Sequence, residues 1–174
     1  YATSGQLTIG GSFNAGRGFT IDARHVPLTY SGTGVAIRSD STGAPEFRIR
    51  GFYKNFNLTG PGKTGSTVGI QLFNGANHNI ERATIKGFNK AIQADGALTS
   101  VARDLAIRDC GYGFYGAPAY GFTINHWRLH NLDIASCDRA VYADDFGEGV
   151  FLVSECEVAG VNTSGTVSDG TAVI

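Results

Sequence analysis

Carboxylates are the most obvious chemical resource of this chain. Asp and Glu together supply 15 of its 174 residues. One group, Asp104, Asp133, Glu155 and Glu157 with Asn131 among them, lies in or beside short apolar alternations. Another, Asp144, Asp145 and Glu148, crowds a single Gly-containing stretch. Carboxyls held close together resist joint ionisation, so one keeps its proton while the other gives it up. That division of labour is what acid–base cleavage of a glycosidic bond needs. The Asp144 group offers oxygen ligands of the kind calcium takes, but its spacing is not that of an EF-hand loop. A solvated turn is the simpler reading. His126 and His130 could titrate near neutrality, but nothing in the sequence places a nucleophile beside them. The three cysteines, Cys110, Cys137 and Cys156, form no CxxC pair and no even framework, and they read as buried apolar thiols. No residue pattern calls for a metal or a cofactor.

The elements that carry these residues must be short. Glycine makes up 25 positions, about 14% and roughly twice the usual share. Hydrophobic residues are 42% and charged residues 17%, enough to fill a core. The net charge of −1 lacks the basic excess of a generic nucleic-acid binder or a membrane-surface protein. No apolar run approaches the roughly 18 residues of a membrane-spanning helix. The sequence holds no methionine, so Tyr1 reads as the start of a processed chain or of a segment, with no signal peptide in view. No stretch keeps an apolar helical period without a Gly interruption. Alternating triplets are frequent instead: Phe47-Arg-Ile49, Ala83-Thr-Ile85, Leu105-Ala-Ile107, Leu132-Asp-Ile134, Cys156-Glu-Val158. Each is followed within a few residues by Gly, Asn or Asp, the pattern of many short strands separated by turns.

These strands repeat. Residues 83–93, 105–115 and 132–142 align with offsets of 22 and 27 residues. Ile85, Ile107 and Ile134 share a column, as do Phe88, Cys110 and Cys137, and Ile92, Phe114 and Val141. Ala91, Gly113 and Ala140 precede the last column. Upstream, residues 47–52 read as the counterpart of 83–88, which puts Phe52 in the Phe88 column and makes 53–67 an insertion. Downstream, 156–161 matches 132–137, with Val158 in the Ile column and Val161 in the Cys column. Residues 162–170 then form a second insertion. Phe19-Thr-Ile21 and residues 34–37 fit the two half-patterns more loosely.

A period of this length with two or three strands each predicts an all-β, right-handed parallel β-helix of about six coils. It would occupy residues 18–174 after a lead-in at 1–17, with its C-terminal end incomplete. Like residues then stack about 4.8 Å apart in internal ladders, which makes Cys110 and Cys137 rungs and not a redox pair.

The register also sorts the polar residues. Thr84, Ala106, Asp133 and Glu157 face outward between the apolar columns, and Arg82, Asp104, Asn131 and Glu155 lie outward two residues earlier. Asp133 and Glu157 become the closest acidic pair, with Glu155 about 7 Å from Glu157 along the same face. These four carboxylates, Asp104 included, are the candidate acid–base groups, and ion pairs with Arg82, Arg103 or Arg108 are the alternative role. Gln93, Tyr115 and Tyr142 form a second outward column, in which two tyrosines would make an aromatic platform for a sugar ring. Trp127 and Asn131 complete the candidate binding set. Trp127 could equally pack the preceding connection onto the core.

The block from Gly69 to Gly75 and on through Asn79 to Phe88 resembles the pectate-lyase-like right-handed β-helix of bacteriophage tailspikes and capsule depolymerases. Residues 18–22 and 27–34 are similar to the first coils of such domains. The resemblance implies a homotrimeric receptor-binding spike on a virion tail, or otherwise an extracellular protein. Such a spike grips, and often cleaves, a bacterial capsule or lipopolysaccharide glycan as a hydrolase or lyase. The Asp-Asp and Gly-His-Gly signatures of polygalacturonases are not matched, since no Gly-His-Gly follows Asp144-Asp145. A non-catalytic β-helical adhesin or a structural spike segment is the competing expectation.

Overall fold

The computed structural model describes residues 2–10, 18–40, 50–118, 124–143 and 151–159. They contain sixteen strands: β1 (Ala2–Thr3), β2 (Leu7–Gly10), β3 (Gly18–Asp22), β4 (Pro27–Tyr30), β5 (Val35–Asp40), β6 (Arg50–Lys54), β7 (Asn57–Thr59), β8 (Val68–Phe73), β9 (Asn79–Lys86), β10 (Lys90–Asp95), β11 (Leu98–Arg108), β12 (Tyr112–Ala117), β13 (Asn125–Ala135), β14 (Arg139–Ala143), β15 (Phe151–Ser154) and β16 (Glu157–Ala159). No helix occurs among the described residues.

Two sheets account for all of them, and every strand pairing is parallel. The first sheet runs β1-β4-β7-β9-β11-β13-β15, with β6 also on β9, β3 on β6 and β16 on β13. The second runs β14-β12-β10-β8-β5-β2. From β8 to β14 the chain alternates strictly between the sheets, and each strand returns beside its predecessor of the same sheet. Residues 2–10, read from sequence as part of a lead-in, supply one strand to each sheet.

The apolar columns explain the pairing. Leu28, Leu58, Ile85, Ile107, Ile134 and Val158 follow one another in register on the first sheet. Leu7, Ile37, Ile70, Ile92, Phe114 and Val141 do so on the second. Residues of both sheets share one buried cluster, so each column loses its water only when neighbouring strands stack. Phe88, Cys110 and Cys137 are buried in that cluster, and all three cysteines are free thiols. A hydrogen bond to the Cys137 sulfur, together with burial, pushes the Cys110 thiol's pKa up and keeps it protonated. The small column before Ile92, Phe114 and Val141 is a packing requirement: a Cβ on Gly113 would lie 2.5 Å from the Ala140 carbonyl oxygen and 3.3 Å from Ile134.

The upstream alignment needs correcting. Phe52 does not join the Phe88 column; it is 44% exposed and pairs with Asn79 in the first half of β9. The second half of β9 pairs with β7, which puts Leu58 beside Ile85. The matching segment therefore lies within the stretch read as an insertion, and Ile85 follows Leu58 by 27 residues, the same interval as from Ile107 to Ile134. Asn55, Phe56 and Asn57 carry too weak an alternation to reveal this, although Phe56 is buried. Residues 47–49 and Val161 lie outside the described residues.

Corner residues set the shape of each strand. Asn55, Arg82, Asp104, Asn131 and Glu155 adopt left-handed backbone with φ between 50° and 58°. Gly87, Asp109 and Ser136 form another such set, and Asn77, Thr99 and His126 a third. Asn and Asp tolerate this conformation better than most residues because their short side chains bond locally. The functional consequence is a switch of parity. In β11, Ser100 and Ala102 face inward before Asp104, and Leu105 and Ile107 face inward after it. Arg103 and Asp104 are therefore both turned to solvent.

Candidate functional site

The outer face of the first sheet carries the acidic residues, and its corner column carries most of their neighbours. Asp104, Asn131 and Glu155 occupy corners and are exposed. Asn131 Nδ2 donates to Asp104 Oδ1 at 2.8 Å, so these two lock together across neighbouring strands. Asp133 and Glu157 are exposed register partners on β13 and β16, about 4.8 Å apart along the backbone. Asp133 also receives Arg108, which donates both to its carboxylate and to its backbone carbonyl. The repulsion expected between the two carboxylates is thus partly offset by a guanidinium. Glu155 differs from the sequence reading in one respect. It sits at the corner between β15 and β16, so it does not share one straight strand face with Glu157.

Arg82 and Arg103 are occupied elsewhere on this face, both ion-paired with Glu81. Two hydrogen bonds from Arg103 hold the Glu81 carboxyl below its usual pKa. Beside Glu81 the face dips into a hollow of about 420 Å³, lined among others by Asn77, Asn79, Thr99, His126 and Arg128. Amide, hydroxyl, imidazole and guanidinium groups converge there, and the buried Asn79 Oδ1 has no hydrogen-bond partner. Sequence reasoning did not find this hollow, because its members come from the corner set of Asn77, Thr99 and His126 and from the residues beside it, which no apolar repeat marks.

Trp127 is not a surface binding residue. It is fully buried, donates its indole N–H to the Ala97 carbonyl at 2.8 Å, and packs edge-on to Phe114 at 4.9 Å. Its large apolar area is worth more inside the core than at a solvated rim.

Tyr115 and Tyr142 are register partners on the outer face of the second sheet, with Gln93 and Gln71 preceding them. The expected platform takes a different form. Their rings are 5.1 Å apart and inclined by 17°, a separation too short for coplanar neighbours, so they stack on each other face to face. Lys90 Nζ lies 3.8 Å from the Tyr115 ring centre, and Tyr112 meets both rings edge-on. Arg139 stands 5.7 Å from the Tyr142 ring centre. The tyrosines therefore present edges and hydroxyls, and much of their face area is spent within the ladder.

Inside the hollow's inner wall, His78 is 1% exposed, and neither ring nitrogen has a hydrogen-bond partner. Burial pushes its pKa down to about 4, so the ring is neutral at pH 7. Among the described residues no group of three or more His, Cys, Asp or Glu side chains could hold a metal ion, and Asp144, Asp145 and Glu148 lie outside them. No family model, curated protein or solved structure matches the chain.

Proposed function

We propose that the two sheets are walls of a right-handed parallel β-helix, and that this chain is a spike-type receptor-binding segment for a bacterial surface polysaccharide. The glycan lies across the outer face of the first sheet, from the hollow by Asn79 and Arg128 to Asp133 and Glu157. The observation that carries this reading is the exposed row of Asp104, Asn131, Asp133, Glu155 and Glu157 on adjacent strands. Extended glycans bind through arrays of directional hydrogen bonds, and stacked parallel strands repeat such groups at a pitch of about 4.8 Å. The stacking of like residues on two alternating parallel sheets supports the solenoid.

In this reading Glu157, which has no ion-pair partner among the described residues, donates or accepts the proton at the scissile bond. Asp133, held by Arg108, serves as the second carboxylate. The assembly is a homotrimer on a virion tail or another extracellular structure, with no nucleic-acid or membrane partner and no cofactor. A binding-only role is the second reading. It is favoured by the Arg108–Asp133 and Asn131–Asp104 contacts, which would equally stabilise a passive surface.

Incubation with capsular or lipopolysaccharide glycan, followed by size-exclusion chromatography, separates the two. Shortened chains, lost in both Asp133→Asn and Glu157→Gln while binding persists, support depolymerisation. Binding without shortening supports the second reading. No binding to any surface glycan refutes both. Light scattering that finds a stable monomer refutes the trimer.

A further inference from the structure

The parallel register brings His130 beside Ser154 and Glu155, which follow it by 24 and 25 positions in the sequence. His130 and Ser154 are partners on β13 and β15, and Ser154 Oγ lies 3.0 Å from His130 Nδ1. On the other side of the same ring, Nε2 is 3.8 Å from a Glu155 carboxylate oxygen. A hydroxyl, an imidazole and a carboxylate in line are the parts of an activated serine nucleophile. Their neighbours fit the same chemistry. Arg128 and Leu152 are register partners two residues before His130 and Ser154. Arg128 is exposed and has no ion-pair partner among the described residues, and Leu152 is an apolar side chain 47% exposed beside it.

We infer that Ser154, His130 and Glu155 form a serine esterase site on the outer face of the first sheet, acting on short acyl esters. Ser154 Oγ attacks the acyl carbonyl carbon while His130 takes the hydroxyl proton. The ester C–O bond breaks, and His130 returns the proton to the departing alcohol. Water then adds to the acyl-serine carbonyl carbon and loses a proton to His130; the acyl–Oγ bond breaks, His130 returns that proton to Ser154 Oγ, and the carboxylic acid leaves. The balance is ester plus water to alcohol plus acid, with no redox partner. Glu155 is a positioning residue that holds the ring and offsets the charge of the imidazolium. Arg128 faces the developing oxyanion, and Leu152 offers an apolar rest for the acyl group. If the glycan reading holds, the natural ester is an acyl substituent on a sugar hydroxyl.

The test needs no glycan. The 174-residue chain is assayed with 4-nitrophenyl acetate and labelled with a fluorophosphonate probe, the labelled residue being identified by mass spectrometry. Hydrolysis falling at least about a hundredfold in Ser154→Ala and in His130→Gln, with label on Ser154, supports the site. Glu155→Gln should lower the rate, and Glu155→Asp should restore part of it, which a merely structural acid would not do. Equal hydrolysis by wild type and Ser154→Ala, or no label at Ser154, overturns the inference. Because the probe is a simple ester, that failure leaves polysaccharide binding untouched, and loss of polysaccharide binding leaves the ester result intact.

Discussion

Truncating Ile107 to Ala tests the internal columns most directly. Ile107 is fully buried, with Ile85 on one side and Ile134 on the other in register. The change removes three carbons from water-free surroundings, a transfer loss of about 2.4 kcal/mol at about 0.8 kcal/mol each. Stacked neighbours on both sides limit collapse, so the cavity left behind raises the cost to about 3–4 kcal/mol. Folded domains hold only about 5–15 kcal/mol in total, so the urea midpoint should fall sharply with the slope unchanged. The same experiment separates the two alignments of the upstream repeat. Leu58→Ala, in the column beside Ile85, should cost about 2–5 kcal/mol, whereas Phe52→Ala, on the outside, should cost under about 1 kcal/mol. A loss below 1 kcal/mol for Ile107→Ala, or equal losses for Phe52→Ala and Leu58→Ala, would refute the packing argument.

Other consequences follow from buried and crowded positions. His78 has a folded pKa of about 4 against an unfolded value near 6.5. The unfolded chain therefore binds the extra proton first, and stability falls as pH drops from about 6.5 to 4, by roughly 3 kcal/mol in all. Urea titrations from pH 7.5 to 4.5 should show that slope, and His78→Gln should flatten it. At Gly60, a Cβ would lie 2.4 Å from the Gly87 carbonyl oxygen and 2.6 Å from the Phe88 ring. Gly60→Ala should thus cost about 1–3 kcal/mol by thermal or urea unfolding. The exposed Lys63–Asp138 pair is an opposite case: Lys63→Ala should leave the unfolding midpoint almost where it is, and high salt should shrink even that small difference.

The sequence was legible where apolar side chains recur. Ile85, Ile107 and Ile134 align because each must fill the same interior slot, and the alternation around them discloses strand, face and neighbour at once. Between Tyr53 and Leu58 that signal fails, since Asn55 and Asn57 flank one buried Phe56 and the corner at Asn55 shifts the parity. Corners hide function as well. Glu155 read as the strand-mate of Glu157, although its left-handed backbone turns it toward His130. The pairing of His130 with Ser154 was within reach of the register, since both stand one residue before a corner. A single serine beside no apolar landmark drew no notice. Trp127 was undecided because composition does not say which side of a strand an aromatic takes. The tyrosine column was placed correctly, but ring orientation depends on Lys90 and Tyr112, which the alignment does not weigh.

The corner positions have a consequence for how such a surface can change over generations. Arg82, Asp104, Asn131 and Glu155 occupy equivalent sites on successive strands, yet they span positive, negative and neutral groups. The backbone there already bears the strain of its left-handed conformation, and the side chain points away from the core, so one residue type exchanges for another with little effect on interior packing. Selection can therefore rewrite the outward chemistry one position at a time, at a fixed spacing, while the apolar columns stay constant. A lineage pressed by an altered ligand would accumulate its substitutions at these corners first.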